Sequence, residues 1–404
     1  MCDIARVVMA RNKVTKQFRD DEGMDAGQPE TGGMDTWLSE LLEDPCNDLV
    51  QKAMDEGQIP VGTSCSYVPE VMLSVDGLFP VRIRAPGIAG TELADNYLSS
   101  VICSYTRSLL EFALDGRYDF LGGWVFAASC DHLRRLYDNL QYLRQRGFSR
   151  ILDVPHKTGA AAVDWYTREL QLFARDLEDH FRCDLSREAL AAAIREHNAF
   201  NATLREIGEH RRGDHPVMTG TEYHQLVVAA SASPKKAFTP ILEKIRDDLQ
   251  TRTPLTPCRA RLLLVGGHLD DPAYIGIIES QGGLVVGDRL CTGSFPGLQP
   301  IPETGDPIAA LARHYLTKTS CPRMMEAFHE RAEDIVSLAR GCRADGIVIQ
   351  ILKFCDTWGV EAGTLVSYIR EAGLPVLRLE RDYRLGGEGQ LRTRIQAFIE
   401  SMGK

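Results

Sequence analysis

The chain has 404 residues, more than one hydrophobic core organises well, so two or three domains are expected. Apolar residues make up 44% and charged residues 25%, an ordinary balance for a globular protein. A net charge of -10 excludes general nucleic-acid binding, and no apolar run is long enough for a signal-peptide core or a membrane span, so a cytoplasmic protein without a membrane anchor is expected.

In chain order, residues 1–55 read as a polar, partly helical arm, with a Gly/Asp/Pro-containing break at 23–33 and a helix over 34–56. Residues 56–160 read as a first α/β domain. Its strands are predicted at 58–65, 80–84, 122–130 and 150–155, with helical periodicity over 93–114 and 132–146. Residues 161–255 form a helical segment, with one long stretch over 163–212, and a Pro-containing boundary follows at 253–257. A second α/β domain occupies 256–404, with strands at 261–265, 284–286, 346–352 and 374–379. Strands alternating with helices at this spacing predict two similar doubly wound, flavodoxin- or Rossmann-like parallel sheets. Function in such sheets collects at the carboxyl ends of the strands, where Cys65, Cys130 and Cys355 fall.

Eleven cysteines without a secretion signal point to thiolate chemistry in a reducing compartment. Six of them follow a pattern. Tyr97-Leu98 and Tyr315-Leu316 are each followed after four residues by a cysteine, Cys103 or Cys321, and each half then carries a Cys-Asp pair, Cys130-Asp131 or Cys355-Asp356. Cys65 and Cys291 complete three thiols per half. A single cysteine often does no more than fill a core, but duplication favours ligands of iron–sulfur clusters, with three thiolates for each cubane and one iron left open. Cys103 is expected at the start of a helix over 104–114, and Cys321 at the start of one over 322–340 with Pro322 in its first turn. Cys2, Cys46, Cys183, Cys258 and Cys342 have no pattern partner. Zinc fits less well, since tight CxxC and HxxxH pairs are absent.

Among other residues, Glu70 is the acid–base candidate, with a capping or solvated glutamate as the structural alternative. His132 beside Cys130-Asp131 is a candidate proton relay, although a lone helical histidine is more often structural. Asp131 and Asp356 are expected to cap helices. Arg107 and Arg134 could hold a phosphate or a partner, and 215–224 could line a pocket. Gly266-Gly267-His268 lacks the remaining features of a dinucleotide turn, and no GxxxxGK[ST] phosphate loop is present.

The stretches Asn96-Tyr-Leu-Ser-Ser-Val-Ile-Cys103-Ser-Tyr-Thr-Arg107-Ser108, Ala127-Ala-Ser-Cys130-Asp131-His132-Leu-Arg134 and Cys355-Asp356 resemble the 2-hydroxyacyl-CoA dehydratase and benzoyl-CoA reductase superfamily, in its D-component-like subunits. The likeness runs from about residue 57 to the C-terminus. It includes Tyr67-Val-Pro-Glu70, which lacks the spacer of the family's Pro-x-Glu segment, and Gly287-Asp288-Arg-Leu-Cys291-Thr-Gly293. The resemblance implies an oxygen-sensitive iron–sulfur protein that receives low-potential electrons from a separate ATP-hydrolysing activator carrying its own [4Fe-4S] cluster. Cys103, Cys130 and Cys355 are the set common to the superfamily. Cys65, Cys291 and Cys321 are additional, as the branch with a homodimeric, sulfide-bridged [8Fe-9S] double cubane would require. The alternatives are a 2-hydroxyacyl-CoA dehydratase or aryl-CoA reductase subunit with one [4Fe-4S] cluster in a heterodimer, and a non-catalytic cluster carrier.

Overall fold

The computed structural model describes residues 34–144, 147–294 and 298–403. Most of the N-terminal arm, with Cys2, lies outside them. The chain divides into Met1–Trp37 and Leu38–Lys404.

Helices α1 (Met34–Glu43) and α2 (Asp48–Asp55) replace the single helix expected over 34–56. Pro45 cannot donate to a continuing helix, and the Asn47 side chain accepts from the Leu49 and Val50 N–H groups (3.1 Å each), starting α2 afresh. The first half then runs β1 (Ile59–Thr63), β2 (Leu78–Arg82), α3 (Ser104–Leu114), β3 (Gly123–Ala127), α4 (Asp131–Leu143) and β4 (Phe148–Leu152). Helical periodicity over 93–114 yields only a short 3-10 turn, Ala94–Asn96, before α3. A helical layer follows: α5 (Ala160–Phe181), α6 (Arg187–Glu209), α7 (Gly220–Ser231) and α8 (Lys235–Leu249). The stretch expected as one helix over 163–212 breaks at Arg182, which takes the left-handed conformation (φ 59°). The second half comprises β5 (Ala260–Gly266), α9 (Ala273–Glu279), β6 (Gly283–Leu290), α10 (Pro307–Leu316), α11 (Phe328–Gly341), β7 (Gly346–Leu352), α12 (Asp356–Glu371), β8 (Val376–Arg381) and α13 (Glu388–Ser401).

All eight expected strands form, in two wholly parallel sheets with the same spatial order, β2-β1-β3-β4 and β6-β5-β7-β8. The protein is therefore α/β with two similar doubly wound sheets. Both faces of each sheet are covered, which is why a strand such as Gly346-Ile-Val-Ile-Gln-Ile-Leu352 is buried along its whole length. In this strand order the crevice for a ligand opens between the first and third strands of each sheet. Gly266 at the end of β5 has φ +149°, and a Cβ there would stand 1.9 Å from the Gln350 carbonyl oxygen, so only glycine allows β5 and β7 to approach.

The two carboxyl edges face one another. The Ser66 hydroxyl donates to the Cys291 carbonyl (2.8 Å), the Tyr383 N–H donates to Ser104 Oγ (2.7 Å), and the Tyr105 and His268 rings stack at 3.9 Å. One segment crosses over. Ile301, Leu311, Tyr315 and Met324 follow β6 in sequence, yet they pack with Val61, Tyr67, Tyr166 and Phe173 in the core of the first half. Among the described residues, no helix is long and apolar enough to cross a membrane.

Candidate functional site

The six patterned cysteines come from several kinds of place along these edges. Cys65 follows β1, Cys291 directly follows β6, and Cys130 and Cys355 occupy the cap positions after β3 and β7. Cys103 caps α3. Cys321 lies in a loop before a 3-10 turn at Met325–Ala327, and α11 begins only at Phe328, so neither Cys321 nor Pro322 stands in the first turn of a helix as expected. None of the cysteines among the described residues forms a disulfide.

The cap positions themselves differ from expectation. Cys130 and Cys355 take them, and Asp131 and Asp356 become the first helical residues without a side-chain cap bond. Their charge still favours the helix start. Backbone N–H groups of Thr106, Leu133 and Arg323 point at the sulfurs of Cys103, Cys130 and Cys321. Such N–H groups at a loop-to-helix corner are what tune a thiolate and any cluster it holds.

Electrostatics sorts the six thiols into two groups. Cys130 senses Cys103 most strongly, then Cys355, then Cys65, and Cys103 itself senses Cys355. Cys291 senses Cys321 first, then Cys65, then Cys355, and Cys321 senses Cys65 before Cys355. The groups are thus Cys103/Cys130/Cys355 and Cys65/Cys291/Cys321. Each takes two thiols from one half and one from the other, whereas the sequence pattern suggests one group per half. Burial pushes the thiols of Cys103, Cys130, Cys291 and Cys321 up, Cys103 to about 11 and Cys321 to about 12, with neighbouring thiolates adding to the effect. Held together as thiolates, these sulfurs would need positive charge among them, which the irons of a cluster would supply. Among the described residues no three His, Cys, Asp or Glu side chains are placed to ligate one metal ion. A cluster takes one thiolate at each of several irons and so needs its ligands further apart than one ion does. Six cysteines in two groups of three, with N–H groups aimed at their sulfurs, fit such a cluster.

Buried arginines fix the loops that carry these thiols. Arg331, buried, pairs with the largely covered Glu361 and donates to the carbonyls of Thr319 (2.5 Å), Cys321 (3.2 Å) and Met324 (3.3 Å). Arg323 reaches across to the Val154 and Pro155 carbonyls (2.8 and 3.0 Å). Arg211 pairs with Asp288 (2.6 Å), whose other oxygen accepts from the Ser294 N–H (2.7 Å), closing the Cys291 turn. In the first half, Arg107 binds Asp95 (2.8 Å) and Thr91 (2.6 Å) in front of Cys103. It is occupied within the fold. His132 is buried with both ring nitrogens engaged: Nδ1 accepts from the Cys103 N–H (3.2 Å), and Nε2 lies 3.2 Å from Asp356 of the other half. With Nδ1 accepting, the hydrogen sits on Nε2 and faces the carboxylate.

A small cavity of about 110 Å³ adjoins Cys65 and Cys291. Glu70 lines it, and so do residues that sequence reasoning missed. Lys235 Nζ donates to Glu70 Oε1 (2.7 Å) and to His197 Nδ1 (2.8 Å). Burial would raise the Glu70 carboxyl, but the Lys235 ammonium outweighs burial and holds it below the usual range. Burial, reinforced by Lys235, keeps His197 neutral. Lys318 lies over the Tyr315 ring (4.0 Å), and burial lowers its ammonium to about 7 against the opposing pull of Glu70. Lys318 stands three residues before Cys321, which is a local hint; Lys235 and His197 look in sequence like solvated helix charges. His224, in the stretch expected to line a pocket, is buried instead against the Leu269 carbonyl (3.0 Å).

Residues 65–402 match the family model of the 2-hydroxyglutaryl-CoA dehydratase D-component. The chain belongs to this family. The (R)-phenyllactyl-CoA dehydratase beta subunit of Clostridium sporogenes is 25% identical over 90% of this chain and 97% of its own length. The lactoyl-CoA dehydratase subunit beta of Anaerotignum propionicum is 25% identical over 90% of this chain and 98% of its own. A benzoyl-CoA reductase subunit of Thauera aromatica is 22% identical over 83% and 89%. The family member described here is accordingly an enzyme component of the dehydratase or reductase kind.

Proposed function

We propose that this chain is an iron–sulfur reductase component that takes low-potential electrons from a separate ATP-hydrolysing activator and delivers them to a small substrate. The cysteines would hold a double-cubane [8Fe-9S]-type cluster, Cys103, Cys130 and Cys355 on one cubane and Cys65, Cys291 and Cys321 on the other. The observation that carries this reading is the presence of a second complete trio of thiols beside the first. When bound, such a cluster supplies single electrons through irons not fully closed by protein thiolates. The protein's own groups do the rest. Buried arginine clamps fix the two loops of the second trio, and His132 positions the Cys103 backbone against Asp356. In the adjoining cavity Lys235 Nζ carries a proton between Glu70 Oε1 and His197 Nδ1, so a protonated donor and an ionised acceptor stand side by side. Glu70 is the proposed acid–base residue, with Lys235 as the group that sets its charge; His132 serves the site through position.

A second reading is a dehydratase or aryl-CoA reductase subunit with a single [4Fe-4S] cluster, working beside a related subunit. It is supported by the names of the relatives, which are subunits of such enzymes. Anaerobic purification with iron and acid-labile sulfide counting separates the readings: about eight irons per chain for the first and about four for the second. Retention of the full iron content after Cys→Ala changes at Cys65, Cys291 and Cys321 would overturn the first.

A further inference from the structure

We infer that the cavity beside Cys65 and Cys291 is a carboxylate-binding site for a short-chain acid, with Arg82 and Lys318 as its anion-binding groups. The inference rests on reading that cavity as the substrate pocket and adds the class of substrate it takes.

Beside the thiols of Cys65 and Cys291, the cavity is lined by more cationic side chains than carboxylates. Arg82, Lys235 and Lys318 line it, with Glu70 as the one carboxylate among its lining residues. Lys235 is committed to Glu70 and His197. Arg82, the last residue of β2, makes no hydrogen bond or ion pair among the described residues, and its Nε is shut off from solvent without a partner. Lys318 is only 9% exposed, and among the described residues its ammonium likewise has no hydrogen bond or ion pair; it rests on the Tyr315 ring and feels Glu70 only at longer range. A buried ammonium beside a half-buried guanidinium, both left in this state, is costly, and an anion that reaches both removes the cost. A planar guanidinium beside an ammonium suits a carboxylate, with two parallel bonds from the arginine and a third from the lysine.

The remaining walls select among anions. Val68, Phe200, Leu204 and Val227 line the same cavity. An apolar wall gains nothing from inorganic phosphate but gains from the carbon chain of an acid, so a carboxylate with an alkyl tail satisfies both sides.

The test uses the full chain purified anaerobically, with iron and sulfide counted on the same sample. Equilibrium dialysis with [14C]butyrate is expected to show saturable binding. Arg82→Gln and Lys318→Met should each weaken it by about tenfold or more, as loss of a charge-assisted bond implies, while the exposed neighbour Lys236→Met leaves it unchanged. Melting curves identify any variant that fails to fold, and Lys318→Gln then stands in for it. Competition by glutaryl-CoA would make the acid end of a thioester the source of the carboxylate; its absence, with butyrate still bound, would make it a free acid. Both results support the site. Absence of saturable butyrate binding, indifference to both substitutions, or displacement by phosphate at concentrations below those of butyrate would overturn it. Butyrate binding without the expected iron would instead sink the double-cubane reading and leave the carboxylate site standing.

Discussion

The two halves share a strand order and differ in what each strand end presents. After the first central strand β1 comes Cys65; at the same offset after β5 comes His268. After the neighbouring edge strand the roles reverse, with Arg82 closing β2 and Cys291 following β6. Only the third strands agree, delivering Cys130 and Cys355 alike. The means of holding the loops differ as well. The first half fixes its Cys103 loop with a partly exposed ion pair, Arg107–Asp95, with side chains 20% and 47% exposed. The second fixes its Cys321 and Cys291 loops with the largely buried pairs Arg331–Glu361 and Arg211–Asp288. One scaffold repeated twice has therefore become one asymmetric site.

The comparison predicts effects of very different size. Removing Cys65, Cys291 and Cys321 together should lower iron from about eight per chain to about four, because the other trio is complete without them. Total loss of iron would instead mean that the two trios are not separable. Next, Arg331→Met should destabilise the protein by roughly 3–5 kcal/mol in urea melts, since it strands the largely covered Glu361 and several carbonyls. A cost below about 1 kcal/mol, the range of an exposed pair, would remove the distinction drawn between the two ways of pinning a loop.

Acid should loosen the packing around His224. His224 is buried against the Leu269 carbonyl just beyond β5, and burial lowers it from 6.5 to about 4. Below pH 6.5 the unfolded chain takes up a proton that the folded one refuses, so stability falls as pH drops from 6.5 toward 4, by up to about 3 kcal/mol. Hydrogen exchange should rise near His224 and the end of β5 as pH falls, and His224→Gln should remove part of the dependence, with buried His197 contributing the same way beside Glu70. The smallest effect belongs to Arg107→Ala, at most about 1 kcal/mol, as for other partly exposed pairs.

Much of this was legible in the sequence, for identifiable reasons. Strands such as β5 and β7, buried along most of their length, read as nearly continuous apolar runs, and all eight were found, with errors of a few residues at their ends. Cys65, Cys130 and Cys355 were legible as site residues because strand ends are where such sheets work. The Tyr-Leu-x4-Cys repeat was a weaker guide. Tyr97 sits exposed after a 3-10 turn and Tyr315 is buried inside α10, so equal spacing conceals unequal structure. The division of thiols across the halves could not be read from the repeat, which suggests one group per half; the resemblance alone separated Cys103, Cys130 and Cys355 from Cys65, Cys291 and Cys321. Arg331 and Lys235 were missed for a related reason: a charge on an amphipathic helix looks the same whether it meets water or a buried partner 30 or 165 residues away.

The sharing of each trio between halves carries a consequence for biogenesis. If the two trios hold the proposed cluster, no isolated half would contain a full set of ligands, so neither could be charged with metal while the other is undocked. Metal content would then become a gauge of whether the halves have closed. A substitution that merely slackens their junction, such as one at Ser66 or Tyr383, would reveal itself as under-metallated protein in the cell well before it changed a melting curve.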